Sequence, residues 1–243
     1  MTGSGEPPAP AMQVTPDPDA ACRVVAERIV HAAGRAVEAR GRFAMAVSGG
    51  ASPIPVFRLL AGELRERVRW PAVHVWLTDE RCVPPGHPAS NWGMLARELL
   101  DRVDIPPAHA HRFAGELAPA EAARRADAEL AGYVDAVRAD PAFDLVLLGV
   151  GDDGHTASLF PGGAELEARR RLVVASRAPE GVEVRDRVTL TLPALAMTRE
   201  VLVLAYGAGK RDAVRAAWAG TVPAGLVRGR EGTTWVVDEA ARA

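Results

Sequence analysis

Apolar residues recur at helical spacing over residues 19–40, where Val24, Val25, Ile29, Val30 and Val37 keep to one face. That spacing predicts a packing helix. A short apolar run over 42–47 ends in Ser48-Gly49-Gly50-Ala51-Ser52-Pro53, after which Val56, Phe57, Leu59, Leu60 and Leu64 resume helical spacing. The segment reads as strand, glycine loop, helix. Residues 73–78 carry a second strand pattern, followed by the polar Asp79-Glu80-Arg81, a Pro/Gly/His loop and a helix over 90–103. The longest helix is expected at 118–139. Residues 143–149 give a third strand whose apolar run is continuous enough for burial on both faces. Further strand candidates lie at 171–176, 187–192, 201–205 and 233–237, with a helix over 209–218 between the last two.

Strands separated by helical stretches predict a single α/β domain over 19–243, built on one doubly wound, mainly parallel sheet with helices on both faces. No internal repeat is visible, and no linker divides the chain after residue 18. Residues 1–18 are rich in Pro, Gly and Ala, without a basic segment or an apolar run, and read as a flexible cytoplasmic leader. In doubly wound sheets ligands bind outside the carboxyl ends of the strands. The loops after Val47, Thr78 and Leu148 are therefore expected to converge on one site.

Composition narrows the class. The 243 residues are 48% hydrophobic and 25% charged, enough apolar material for a sizeable core, which excludes disorder for most of the chain. Lys plus Arg number 29 against 31 for Asp plus Glu, so no general field draws the chain to nucleic acid or an anionic membrane, and any anion site must be local. No uninterrupted apolar window of about 18 residues is present. Cys22 and Cys82 form no CxxC pair and are read as free thiols. Among the basic residues Lys210 is the only lysine, and Asn91 is the only asparagine. In a chain biased to Arg and Ala, such exceptions raise the question of what their side chains alone supply.

Ser48-Gly49-Gly50-Ala51-Ser52-Pro53 lets bare backbone N–H groups approach an anion at the start of a helix, a seat suited to phosphate. The competing reading is a plain strand-to-helix turn that needs glycine for its dihedrals. A nucleophile elbow at Ser48 is disfavoured because Ala46 stands where GxSxG needs glycine. Asp79, Glu80 and Arg81 stand at a strand end, either as a solvated turn or as a guanidinium fork for an oxygen-rich ligand with carboxylates that orient it. Asn91 is a helix cap or a hydroxyl reader. Gly149-Val-Gly-Asp-Asp-Gly154 is a literal GxGxxG, yet Asp152 and Asp153 would put two negative charges beside a pyrophosphate, and Pro161-Gly162-Gly163 interrupts the long helix that should follow. Dinucleotide binding is rejected. Asp153 and His155 are better used as a carboxylate that fixes the tautomer of an imidazole base, against the alternative of a surface histidine in a polar turn. A metal on this pair lacks further ligands nearby in sequence, and the HxH of His109 and His111 lies in an irregular Pro-flanked segment. Lys210, near a helix start, suits a phosphate or is an ordinary surface lysine. Arg177 and Arg187 flank strand candidates and could reach the same anion.

Three blocks resemble the 6-phosphogluconolactonases, relatives of the glucosamine-6-phosphate deaminases. They are Ala46-Val-Ser-Gly-Gly-Ala-Ser-Pro53, then Leu77-Thr-Asp-Glu-Arg-Cys-Val-Pro84 with Ser90-Asn-Trp-Gly-Met94, and Gly149-Val-Gly-Asp-Asp-Gly-His-Thr-Ala-Ser-Leu-Phe-Pro-Gly162. Weaker echoes are Arg187-Val-Thr-Leu-Thr-Leu-Pro193 and Gly207-Ala-Gly-Lys210. The resemblance implies a Rossmann-like fold, no metal and no nucleotide cofactor, and hydrolysis of 6-phospho-D-glucono-1,5-lactone, a carboxylic ester hydrolase activity of the oxidative pentose phosphate pathway. It implies His155 as the base, oriented by Asp153, and Arg81 as an oxyanion stabiliser. Ser48, Gly49, Gly50, Lys210 and Arg187 would hold the phosphate, with Asp79 and Asn91 as further substrate contacts. The implied partner is a sugar phosphate lactone, with no nucleic acid and no membrane, for a monomer or small homo-oligomer. An amino-sugar phosphate deaminase on the same fold would also use a Glu shortly after the His, whereas 156–163 contains no acid, and Arg81 replaces the usual aromatic residue. A non-catalytic sugar-phosphate sensor would need the base missing or an appended DNA-binding region. Departures from the lactonase pattern are His87-Pro88-Ala89 before Ser90, and the leader.

Overall fold

A computed structural model describes residues 7–137 and 141–243. In chain order the elements are β1 (Ala11–Thr15), α1 (Pro18–Arg40), β2 (Phe43–Val47), α2 (Ile54–Ala61), β3 (Val73–Leu77), β4 (Asp79–Arg81), α3 (Asn91–Glu98) and β5 (Ala110–His111). They continue with α4 (Pro119–Val137), β6 (Phe143–Gly149), β7 (Val173–Arg177), β8 (Asp186–Leu190), α5 (Leu192–Leu195), β9 (Thr198–Ala205), α6 (Arg211–Trp218) and β10 (Gly232–Asp238). Short 3-10 turns occupy several of the connections.

The main sheet has seven strands in the order β1-β10-β9-β6-β2-β3-β5, paired in parallel throughout. Every residue of β2 is buried, as are the first six of β6, which is how strands covered on both faces read. Chain order runs from β2 outward through β3 to β5, then returns to β6 on the other side of β2 and proceeds to β9 and β10. The reversal lies between β2 and β6, so the crevice of a doubly wound sheet opens at their carboxyl ends. Those ends lead into the Ser48-Gly49-Gly50 loop and the Gly149–His155 segment.

The helix α1 lies against the sheet through small side chains, Ala21, Ala26, Ala32, Ala33 and Ala36, which let its axis approach closely, together with Val25, Ile29 and Val30. It starts at Pro18 with Asp17 as its cap, whose carboxylate accepts the Ala20 N–H at 2.8 Å. It ends at Gly41, which takes the left-handed conformation and returns its N–H to the Val37 carbonyl. At 23 residues α1 exceeds the 19 of α4, so the longest helix among the described residues is not the one expected at 118–139, whose last position, Ala139, lies outside them. The helix expected over 90–103 stops at Glu98 and gives way to a 3-10 turn, Leu100–Arg102.

Two further differences concern strands. The strand candidates at 171–176 and 187–192 do not join the main sheet; as β7 and β8 they pair antiparallel with each other, and β8 pairs with β4, giving a separate three-stranded sheet. The polar Asp79-Glu80-Arg81 is thus itself a strand. The leader expected over 1–18 is corrected at its far end, because Ala11–Thr15 adds to the sheet edge as β1, with Ala11 opposite Thr234 and Thr15 opposite Asp238. The pairing compensates for the short, largely unburied pattern of β1, since parallel ladder bonds to β10 need no apolar side chains. Among the described residues no helix is long and apolar enough to cross a membrane.

Candidate active site

A cavity of about 300 Å³ opens at the β2/β6 crevice, large enough for a small sugar phosphate. Its wall is built from the segments that follow β2, β3 and β6, with Asn91 at the start of α3 and Lys210 at the end of the turn before α6. Ser48, Gly49, Gly50, Asp79, Arg81, Asn91, His155 and Lys210 all line it. Two of the expected site residues do not. Asp153 stands behind His155 as its partner, and Arg187 is buried beside Arg81 on the same face of the β4–β8 ladder.

The loop after β2 is shaped by what crowds it. A Cβ on Gly49 would overlap the Asn91 amide, and Gly50 has a φ of 84°, so this loop tolerates glycine at both positions and little else. Ser48 is anchored through its hydroxyl to the Thr78 hydroxyl at 2.9 Å, and the Tyr206 hydroxyl donates to the Ser52 carbonyl at 3.2 Å. No described residue accepts a hydrogen bond from the N–H groups of Gly49, Gly50, Ala51 or Ser52. Four free donors lead into the N-terminus of α2, an arrangement suited to an anion.

Glu80 organises the opposite wall. It is only 1% exposed, and its carboxylate accepts from the N–H groups of Arg81 (2.7 Å), Asn91 (2.7 Å) and Trp92 (2.8 Å) and from the Ser90 hydroxyl (3.0 Å). Burial pushes its carboxyl pKa up, against the pull of those four bonds. Ser90, not Asn91, caps α3, accepting the Gly93 N–H at 3.0 Å. Asn91 is thereby released for the cavity, and its amide donates to the Asp79 carbonyl at 2.8 Å. Asp79 is buried, with one carboxylate oxygen 2.6 Å from the Ser158 hydroxyl. Arg81 donates to the Ala89 carbonyl at 2.7 Å. Its cross-strand neighbour Arg187 has Nε and Nη1 buried without a partner, and burial, reinforced by the Arg81 charge, lowers its pKa. Arg177 points outward, mostly exposed and 3.9 Å from Asp186.

After β6 the chain makes a tight polar turn. The His155 ring lies across Gly151, where any Cβ would overlap it, and packs near Phe160 with ring centres 4.9 Å apart. Its Nδ1 meets Asp153 Oδ1 at 2.5 Å, and the same oxygen accepts the His155 backbone N–H at 3.1 Å. Partial burial pushes the Asp153 carboxyl up, but the hydrogen bonds and charge of His155 outweigh it and hold the pKa below the ordinary carboxylate value. Asp153 is therefore ionised at neutral pH. Ala157, also on the wall, has a φ of 48°, a strained backbone for a residue with a Cβ. As expected from Pro161-Gly162-Gly163, no long helix follows this turn, only the 3-10 stretch Ala164–Glu167. Lys210 Nζ donates to Asp152 Oδ1 at 2.6 Å.

Reading the sequence missed Glu80 as the organiser, and Asp152, Thr156 and Ala157 as wall residues. For Glu80 the signal was present in Ser90-Asn91, a capping pattern that a buried carboxylate can brace. Outside the site, His109 and His111 stack with His74, and His74 and His109 line a separate hollow. No group of three or more His, Cys, Asp or Glu among the described residues is arranged to hold a metal ion.

Comparison with known proteins matches residues 16–236 to the family described as glucosamine-6-phosphate isomerases/6-phosphogluconolactonase. The chain belongs to this family. A relative described as 6-phosphogluconolactonase from Mycobacterium tuberculosis is 37% identical over 247 residues, covering 96% of this chain and 97% of the relative. The crystal structure of 6-phosphogluconolactonase from Thermotoga maritima superposes with a TM-score of 0.83 at 30% identity, covering 94% of this chain and 99% of that one. A monomeric glucosamine-6-phosphate deaminase shares the fold, with a TM-score of 0.81 at 17% identity over 95% of this chain and 98% of that one. Family membership fixes the doubly wound fold; the relatives at 30–37% identity are 6-phosphogluconolactonases, whereas the likeness to the deaminase at 17% shows the fold alone.

Proposed function

We infer that the protein is a 6-phosphogluconolactonase, hydrolysing 6-phospho-D-glucono-1,5-lactone to 6-phospho-D-gluconate. The observation that carries this reading is His155, braced by an ionised Asp153, on the same cavity wall as four free backbone donors and the single lysine. The family relatives point the same way.

The 6-phosphate sits against the Gly49–Ser52 N–H groups and Lys210, which fixes the far end of the substrate and uses remote binding energy to place the lactone carbonyl. With Nδ1–H donating to Asp153, the other ring nitrogen of His155 is the free base. It takes a proton from a water whose oxygen attacks the carbonyl carbon, and the carbonyl electrons move onto oxygen. Arg81 supports that oxyanion. When the intermediate collapses, the ring C–O bond breaks, and the imidazolium returns the proton to the departing sugar hydroxyl. Arg187, beside Arg81 on the same face of the β4–β8 ladder, has buried donors without a partner and adds positive charge at this end of the cavity.

The amino-sugar alternative calls for an acid close after the histidine. Glu165, the first acid in that direction, accepts the Phe160 N–H at 3.1 Å and does not line the cavity. Proton release from freshly prepared 6-phosphogluconolactone, run beside ammonia release from glucosamine 6-phosphate, tests the assignment. Acid production alone is expected. Ammonia release without lactone hydrolysis would replace this reading with the deaminase.

A further inference from the structure

Lys210 and Asp152 form an ion pair inside the cavity wall, with Nζ 2.6 Å from Oδ1. Their environments differ. The Lys210 side chain is 27% exposed and faces the glycine loop's cavity, whereas Asp152 is 84% exposed and has no second side-chain partner among the described residues. A carboxylate that exposed neither braces the fold nor is desolvated by the pair, so the bond constrains only Lys210. It also places a negative charge on the wall that is to receive a dianion.

We propose that Asp152 competes with substrate phosphate for Lys210, and so sets how tightly phosphorylated ligands are held and how readily the product leaves. This rests on the phosphate seat described above. A phosphate that reaches Lys210 either displaces Asp152, which returns to water at little cost because it is already exposed, or shares the three ammonium donors with it. In the second case a carboxylate and a dianion lie on the same nitrogen and repel each other. Both routes weaken phosphate binding relative to an uncharged side chain at 152. Hydrolysis makes the opposition stronger, because opening the neutral lactone ring adds a carboxylate at the His155 end, two residues beyond Asp153 in the same turn. The product therefore meets Asp152 with one more negative charge than the substrate did.

The test uses the full chain carrying Asp152→Asn, Lys210→Met, and both. Steady-state hydrolysis of 6-phosphogluconolactone and of unphosphorylated gluconolactone is combined with calorimetric titration of 6-phosphogluconate and inorganic phosphate. For Asp152→Asn, the KM of the phosphorylated lactone and the Kd of inorganic phosphate are expected to fall about two- to fivefold, an ordinary magnitude for one partly exposed charge pair. The Kd of 6-phosphogluconate should fall by the larger factor, and the KM of the unphosphorylated lactone should change least. In the Lys210→Met background the same substitution should bring a much smaller gain, which the double-mutant cycle isolates. Unchanged or weaker phosphate binding in Asp152→Asn, with Lys210→Met impaired, overturns the competition while leaving the phosphate seat intact. Wild-type phosphate affinity in Lys210→Met removes the seat itself, and the competition with it.

Discussion

His155 and Asp153 work as a pair, in which the carboxylate fixes which ring nitrogen carries hydrogen and the ring moves the proton. Replacing His155 by Asn removes the base while an amide can still face Asp153. The expected outcome is a loss of about 10² to 10⁴ in kcat with 6-phosphogluconate affinity nearly unchanged, since the phosphate seat lies elsewhere on the wall. Near wild-type turnover in a progress-curve assay would remove the base assignment. At this scale much of the site was legible, because residues scarce in the chain or set in a polar turn after an apolar run announce themselves. Lys210, Asn91, His155 and the glycine loop all reach the cavity. What one sequence does not carry is which strands pair, and Arg187 shows the consequence. It lies directly opposite Arg81 in the β4–β8 ladder, on the same face, buried and with guanidinium nitrogens that have no partner. Equally hidden was the Lys210–Asp152 pair, which joins positions 58 residues apart.

Glu80 ties β4 to the start of α3, and Asn91 in turn packs that unit against the glycine loop. The two Glu80 carboxylate oxygens take four donors, two each, so no lone pair remains for a group that donates. Glu80→Gln would turn an amide N–H toward these donors and leave at least one buried N–H without a partner, a loss of about 1–3 kcal/mol. For a chain of this size that corresponds to roughly 2–12 °C in the thermal midpoint. The KM for the phosphorylated lactone should rise with it, since Asn91 packs on Gly49 and both depend on this brace. A midpoint equal to wild type would show that the four bonds contribute no net stability. The elements themselves were legible where their apolar period was strong, as in α1, β2 and β6. The pattern failed for β4, which is three polar residues paired to β8, and for β1, an edge strand held by backbone bonds. Burial and side-chain period identify a strand only when side chains pay for its place.

The topology follows from one constraint that a sequence does carry, that parallel strands need crossovers, and from one that it does not, the reversal of strand order between β2 and β6. From the first, with ligand loops at the carboxyl ends of parallel strands, the meeting of three loops is deducible; the separate β4-β8-β7 sheet is not, since short strand patterns do not say which partner they take. The far edge of the main sheet carries a different constraint. There β5 holds to β3 through only two residue pairs, beside three histidines. His74 stacks on His109 with ring centres 3.8 Å apart, its Nδ1 lies 3.3 Å from His111 Nε2, and His111 Nδ1 contacts Glu129 at 2.9 Å. Burial, with the charges of His109, His111 and Arg42 nearby, lowers the His74 pKa from the ordinary 6.5 to about 4. The unfolded chain therefore binds more protons than the folded one between these values, and stability should be intact above pH 6.5 and fall as pH drops toward 4. Glu116, held at about 2 by its bond to Arg112, loses its contribution only below the ordinary carboxylate value of 4.5, so the window from 6.5 to 4.5 isolates histidine titration from this pair. Urea midpoints measured across that window should decline for the wild type. His74→Phe keeps a ring in the stack without a site for the proton, and its decline should be shallower. Equal slopes in the two proteins would assign the acid sensitivity to other groups and leave this edge of the sheet indifferent to pH.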